Sequence, residues 1–472
     1  MTSLTRQLGV GAVTALVIGE VIAVGIFLTP AGMARSLGSP FWLLVVWLVM
    51  AGMALAGALC YGELAARYPE AGGGYVYLRE AYGPAVAFLY GWKCMLVMDP
   101  GITAALAVGL ASYVAYIVPL SAVAQKIVAV GTIAGLAGVN VIGVRLGARV
   151  MQWFTALKLG ALALIAVLAL ALRAGNWANF VPFVAQHPGS DPLPGALAPA
   201  LVGAFFAFGG WWEISKLAGE ARDPERTVPR ALALGVAAVA AVYILTSAVF
   251  LYLVPLEQVT SGEAFAAQVG AVLFGAAGGR IFAAIVIIAV FGSLLALLMA
   301  LPRVYYAMAG DGVFFKAVAT LHPRFGTPAR AIAIQATLAS VLVLSGSFNG
   351  IVAYFIFVTV LFLALTVAGV FVIRRRSGRP ATSRYRTPGY PLTPLLFLAL
   401  VAVLLFLLAG HNPLQAALGL GIVGLGAPVY YWLFRGSHPE GVGARVAPGA
   451  SPVATPIQQD KPHSDRAPEG GA

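Results

Sequence analysis

Ionisable side chains are rare in the long apolar stretches of this chain, and several lie close to two breaks in helical pattern. Glu20, Lys93, Asp99, Lys158 and Glu213 all fall inside otherwise apolar segments. A charge away from water must be paired, hydrogen-bonded or put to use. The two breaks are rich in glycine: Gly19-Glu20-Val21-Ile22-Ala23-Val24-Gly25-Ile26-Phe27 and Phe205-Phe206-Ala207-Phe208-Gly209-Gly210-Trp211. Glycine lets a backbone leave helical geometry or approach a ligand closely. Where the first helix restarts, near Val24, Gly25 and Ile26, free N–H groups and the positive end of the helix dipole can hold a carboxylate. Where the second ends, the carbonyls of Phe206, Ala207 and Gly209 can hold an ammonium. Such a pair suits a small ligand carrying both charges. Ile22, Ala23, Val24, Gly25 and Ile26 are therefore expected to line one side of a site, and Phe206, Ala207, Phe208, Gly209 and Gly210 the other.

These breaks lie in a chain built to span a membrane. Of 472 residues, 60% are hydrophobic and only 10% charged, against about 25% charged in soluble domains; the mean hydropathy is +0.91. A spanning helix needs about 20 apolar residues. About twelve such segments are legible, at roughly 9–34, 41–66, 84–117, 124–142, 148–172, 195–217, 229–254, 278–308, 328–346, 349–373, 391–409 and 414–434. The fold class is thus an all-α integral membrane protein. The breaks open spans one and six. Five spans separate the two units, so the second enters the membrane from the opposite side. That is the 5+5 inverted repeat of many secondary transporters, with helices one and six discontinuous. The repeats are expected at about 9–172 and 195–373, with two further helices at about 391–434. A transmembrane domain would then occupy 1–435. Residues 436–472, rich in Pro, Gly, Ser and charge, are expected to form a disordered cytoplasmic tail.

The formal net charge is +12, but its distribution is a topology signal and not a nucleic-acid footprint. About 23 of the 29 Lys and Arg fall on the side of the N-terminus, the asymmetry of cytoplasmic loops. Both termini are expected to be cytoplasmic, in a multi-pass protein of the plasma membrane. The basic run from Arg374-Arg375-Arg376 to Arg386 belongs to this pattern. Cys60 and Cys94 are the only cysteines and read as buried thiols. The five His residues lie in loops, far apart in sequence. No metal-ligand spacing and no nucleophile–base set emerges, so neither a metal, a cofactor nor an enzyme is expected. The first helix is long and carries Glu20, unlike a cleavable signal.

Several motifs carry a resemblance. Ala23-Val24-Gly25 followed by Ile26-Phe27-Leu28-Thr29-Pro30 resembles the Gly-Ser-Gly-containing first helix of the amino acid–polyamine–organocation (APC) superfamily. Tyr61-Gly62-Glu63-Leu64-Ala65-Ala66-Arg67-Tyr68-Pro69 through Gly72-Gly73-Gly74-Tyr75-Val76-Tyr77-Leu78-Arg79-Glu80 is similar to its loop between helices two and three. Asn140-Val141-Ile142-Gly143-Val144-Arg145, with Gln152, Thr155 and Lys158, resembles helix five of the L-type and related bacterial branches. The stretch from Glu220 to Arg230 resembles the loop after helix six. Arg303-Val304-Tyr305-Tyr306 and His322-Pro323-Arg324-Phe325-Gly326-Thr327-Pro328 resemble the end of helix eight and the loop beyond. The likeness covers about residues 6–435. Ala23 and Val24 depart from the family's Gly and Ser, which narrows the site or removes a hydroxyl.

The resemblance implies a twelve-helix secondary transporter of amino acids working by alternating access, with protons as a candidate co-substrate. It names neither the amino acid nor a partner subunit. Phe206 or Phe208 would be the outer gate. In sodium-coupled relatives an ion ties helix one to helix eight; in sodium-independent ones a helix-five lysine takes its place. Lys158 lies roughly 12 Å inside its helix and is expected to fill that role, with Ser293 adding a hydroxyl from helix eight. Glu20 is placed either to pair with Lys158 or to carry a proton. Asp99 falls about where the family lines its substrate site, and a carboxylate there favours a cationic group or a proton. Glu213 and Lys216 are three apart and are expected to pair. The three carboxylates keep a polyamine or other organic-cation carrier as the alternative, since such a substrate needs no carboxylate of its own.

Overall fold

The structure, a computed structural model, describes residues 8–22, 25–70, 72–143, 148–259, 265–310, 312–318, 320–376 and 385–435. Ala23, Val24 and the expected tail at 436–472 lie outside the described residues. The helices run in chain order as α1 (Val10–Val21), α2 (Gly25–Leu28), α3 (Pro30–Leu37), α4 (Pro40–Arg67), α5 (Gly74–Tyr82) and α6 (Pro84–Lys93). A π-helical turn, Cys94–Met98, joins α6 to α7 (Asp99–Ile117). Then come α8 (Ala122–Ile142), α9 (Ala148–Ala171) and α10 (Leu193–Phe208), a 3-10 helix at Trp211–Glu220, and α11 (Pro224–Leu253). The chain continues through α12 (Phe265–Ala300), α13 (Pro302–Gly310), α14 (Ala329–Ser345), α15 (Phe348–Arg376), α16 (Leu392–His411) and α17 (Pro413–Leu433). Among the described residues the only β-type pairing is an isolated bridge between Leu8 and Ala221.

Among the described residues, eleven helical runs are long and apolar enough to cross a membrane, and α14 is a shorter apolar helix of 17 residues. Together they correspond to the twelve expected spans. Helices satisfy their backbone groups internally, which hydrocarbon demands. Their starts are marked by proline at the first turn of α4, α6, α7, α11 and α17, where the missing N–H has no intrahelical partner to lose. Ser39 adds a cap to α4: its Oγ accepts from the Trp42 amide at 3.4 Å and lies 3.1 Å from the carbonyls of Phe183 and Val184.

The eighth span differs from expectation. In place of one helix over 278–308, α12 begins at Phe265, bends at Phe274 and Gly275, and ends at Ala300, with α13 starting anew at Pro302. Gly275 has φ 66°, a conformation that suits glycine. Pro302 has no N–H and crowds the helical conformation of Leu301 before it.

Packing divides much of the bundle into two groups. In one, α4 and α1 pack on α11, and α10 packs on α3 and α4. In the other, α7 packs on α8, α12 and α14. The broken segments lie along the first group. Gly25 is pressed so closely on α10 that a Cβ there would sit 2.2 Å from Ala207 Cα. At the end of the bundle where α1 begins, Leu8 N donates to Glu220 O at 3.0 Å and Arg222 N donates to Leu8 O at 2.8 Å. At the end of α4, the buried Glu63 carboxylate accepts Arg374 Nε at 2.8 Å and Nη2 at 2.6 Å. It also accepts Thr387 N at 2.8 Å and Thr387 Oγ1 at 2.7 Å. The Arg374 guanidinium stacks 3.7 Å from the centre of the Tyr390 ring. One carboxylate thus gathers α4, α15 and the segment leading to α16.

Two stability predictions follow from these contacts. Gly25→Ala should destabilise the protein by about 2 kcal/mol, within the range for overpacking, whereas Gly11→Ala, with nothing within 4 Å of its Cβ, should change stability by less than about 0.5 kcal/mol. Equal melting temperatures for the two variants in detergent would refute the close approach. Arg374→Ala strips a buried carboxylate of its cation. Since Arg374 keeps 22% exposure, the loss should be about 2 kcal/mol, below the 3–5 of a fully buried pair; an unchanged unfolding midpoint would count against it.

Candidate functional site

The two breaks form where the sequence places them, and each has a local cause. α1 ends at Val21, and Ile22, whose amide still reaches Ile18 O at 2.8 Å, turns out of the helix with ψ 46°. The helix resumes at Gly25. α10 ends at Phe208; Gly209 is extended and Gly210 has φ 108°, where any side chain would be strained. The chain then tightens into the 3-10 helix at Trp211–Glu220, with Glu213 N donating to Gly210 O at 2.9 Å.

Helix ends inside a bundle leave carbonyls in need of donors. Tyr243, buried in α11, supplies one to both breaks: its hydroxyl lies 2.9 Å from Val21 O and 2.8 Å from Ala207 O. The Phe206 carbonyl accepts the Gly209 amide at 3.2 Å. The Phe206 and Ala207 carbonyls, expected to receive an ammonium, thus each lie within reach of one donor from the protein, which leaves a second lone pair on each oxygen.

A small cavity lies at the second break. Glu20 of α1 lines it, as do Phe205, Phe206, Gly209, Gly210, Trp212 and Glu213 of the broken sixth span. Met98 and Ile102 close it from the third span, Leu297 and Leu301 from the eighth, and Phe355, Ile356 and Thr359 from α15. Of the expected lining residues, Phe206, Gly209 and Gly210 are present, joined by Glu20. Phe208 is not: its ring packs 6.0 Å from Trp47 and 5.2 Å from Tyr243, so only Phe206 of the two gate candidates faces the cavity. Ile22 and Ile26 are fully buried, and Gly25 faces Ala207. Ala23 and Val24 lie outside the described residues.

Asp99 also departs from expectation. Its carboxylate accepts the Tyr305 hydroxyl and does not line the cavity. The π-helical turn before it, a feature frequent at functional sites, separates it from Lys93. The Lys93 ammonium sits 4.8 Å from the Tyr90 ring centre, 5.8 Å from that of Phe362, and 3.0 Å from the sulfur of Met98.

Lys158 and Ser293 do come together. Lys158 is 4% exposed, and its Nζ donates to Ser293 Oγ at 2.8 Å; Ser293 in turn donates to Ala289 O at 3.2 Å. Small residues permit the approach. A Cβ on Gly292 would fall 2.6 Å from the Phe154 ring, and one on Gly19 would fall 2.8 Å from Thr155 Oγ1. α9 is thereby wedged between α12 and the last turn of α1. Glu20 makes no ion pair with Lys158 among the described residues. Its side chain lies instead on Gly210, where a Cβ would be 3.0 Å from Glu20 Cγ. Glu213 pairs with Lys216 as expected, through Oε2, while its Oε1 is buried with no hydrogen-bond partner.

Sequence reasoning missed Tyr243 and Tyr305. A signal was there: a buried tyrosine hydroxyl in an apolar helix requires an acceptor. Nothing in the sequence marks Leu297, Leu301, Phe355 or Thr359 as cavity residues.

The sequence is similar to known proteins over nearly its whole length. The family described as Amino acid permease matches residues 8–428. The Serine/threonine exchanger SteT of Bacillus subtilis is 30% identical over 435 residues, covering 91% of this chain and 97% of its own. The b(0,+)-type amino acid transporter 1 of Oryctolagus cuniculus is 31% identical over 381 residues, covering 79% and 77% of the two chains. The Large neutral amino acids transporter small subunit 2 of Homo sapiens is 28% identical over 443 residues, covering 91% and 80%. Two discontinuous helices around a cavity, in a bundle of apolar spans, with relatives named for amino acids, lead to one conclusion: this chain belongs to the amino acid permease family and is a multi-pass membrane transporter of amino acids.

Proposed function

We propose that the protein moves amino acids across the cell membrane by alternating access, without sodium. The observation that carries this reading is the Lys158–Ser293 hydrogen bond, 2.8 Å long, beside the first break. A lysine held there supplies a fixed positive charge between α9, α12 and α1, where a sodium ion would otherwise tie helices together. The substrate carboxylate is received at the N–H groups opening α2, where Gly25 restarts the helix. The substrate side chain enters the cavity among Phe206, Trp212 and Phe355. Repeats at about 9–172 and 195–373 then rock against each other around this site, with both termini cytoplasmic. The relatives disfavour a polyamine carrier, since their names specify amino acids.

Purified protein in sodium-free proteoliposomes tests this. Saturable uptake of an amino acid mixture is expected, unchanged by added sodium. Uptake driven by an internal amino acid load marks exchange, and uptake driven by an inward proton gradient marks symport. Lys158→Ala should lower uptake at least about tenfold, equivalent to 1.4 kcal/mol. Steep sodium dependence in the wild type, or full uptake by Lys158→Ala, would refute the assignment.

A further inference from the structure

One carboxylate of the cavity wall has no hydrogen-bond donor of its own. Two carboxylates line it, Glu20 and Glu213, and among the described lining residues there is no Lys, Arg or His. The nearby cations Lys158 and Lys216 act on Glu20 only across space, without an ion pair to it. Lys216 pairs with Glu213 Oε2, and Lys158 donates to Ser293. Glu20 has no hydrogen bond or ion pair among the described residues, and Glu213 Oε1 has no partner either.

The position of Glu20 is built in. It rides on Gly210, where φ of 108° disfavours any side chain and a Cβ would crowd Glu20 Cγ at 3.0 Å. Its carboxylate therefore lies where the two broken helices meet. The rest of the wall is apolar and aromatic, with Phe205, Phe206, Trp212 and Phe355 in the same cavity. Aromatic faces attract cations as well as apolar stems. A carboxylate without a partner in such a setting is unfavourable when empty and strengthens attraction to a cation that enters. A zwitterion alone brings no net charge to answer it; a substrate with an additional ammonium or guanidinium does.

We propose that Glu20 anchors a positively charged substrate side chain, so that the protein favours cationic amino acids over neutral ones of the same length. Glu213 Oε1 is the second acceptor for the same group. This rests on the amino acid transport reading above and specifies its substrate class.

The test is equilibrium binding of labelled L-lysine and, separately, of labelled L-norleucine to the full chain in lipid nanodiscs, with unlabelled competitors. L-Lysine and L-ornithine should compete at least about tenfold more tightly than L-norleucine and Nε-acetyl-L-lysine, which keep the length and lose the charge. In Glu20→Gln the lysine-to-norleucine preference should fall to about threefold or less. Should that variant not fold, the acetyl-lysine comparison in the wild type decides the question alone. Norleucine binding as tightly as lysine, or a preference unchanged in Glu20→Gln, overturns the inference while leaving amino acid transport intact. If no amino acid, cationic or neutral, binds or competes, the transport reading itself fails.

Discussion

The hydroxyl of Tyr243, shared between the carbonyls of Val21 and Ala207, answers the main physical difficulty of this architecture. A helix interrupted inside a membrane exposes backbone groups that hydrocarbon cannot solvate. Here α11 packs along α1 and α4 and delivers one polar group to the ends of both broken helices. One hydroxyl proton cannot fully serve two acceptors at once, so the two helix ends compete for it. The closeness of Gly25 to Ala207 depends on the same contact, because it brings the two chains within reach of a single side chain.

The buried ionisable groups are each handled differently, and the differences separate structure from function. Glu63 accepts four hydrogen bonds and is a structural tie. Asp99 is satisfied by Tyr305, and Lys93 rests among aromatic faces and a thioether. Lys158 is held by a hydroxyl and not by a carboxylate, which orients its charge without neutralising it. Glu20 alone of these is left facing open space at the junction of the breaks. Of the carboxylates on the cavity wall, Glu213 is paired with Lys216 while Glu20 is left without a hydrogen bond.

Much of this was legible from residue order. Many glycines sit inside unbroken helices here, as Gly52, Gly57 and Gly62 do in α4, but Gly25 and the Gly209–Gly210 pair, beside ionisable and aromatic residues, marked both discontinuities. That Lys158 would bond Ser293 was not legible, since each was expected to face the first break. Nor was it legible which way side chains point across a junction. Phe206 and Phe208 are two apart, about 200° around a helix, so one faces the cavity and the other the core; composition treats them alike. The Ala207 carbonyl seemed free because its donor, Tyr243, is 36 residues away. The eighth span was read through Pro302 because apolar residues continue past it, although proline's missing N–H was visible. Glu20 was matched to Lys158 by charge alone, whereas Gly210 offered it a closer seat.

The short backbone pairing of Leu8 with Glu220 and Arg222 has a mechanical consequence. It clasps the start of α1 to the end of the 3-10 helix, so the two half-helices at this end of the bundle share one anchorage. A displacement of either pulls the other. With helical geometry left at Ile22 and again at Gly209–Gly210, these halves are coupled as a single lever. Opening the cavity toward this end then swings both arms together, and the seat of Glu20 on Gly210 travels with the pivot.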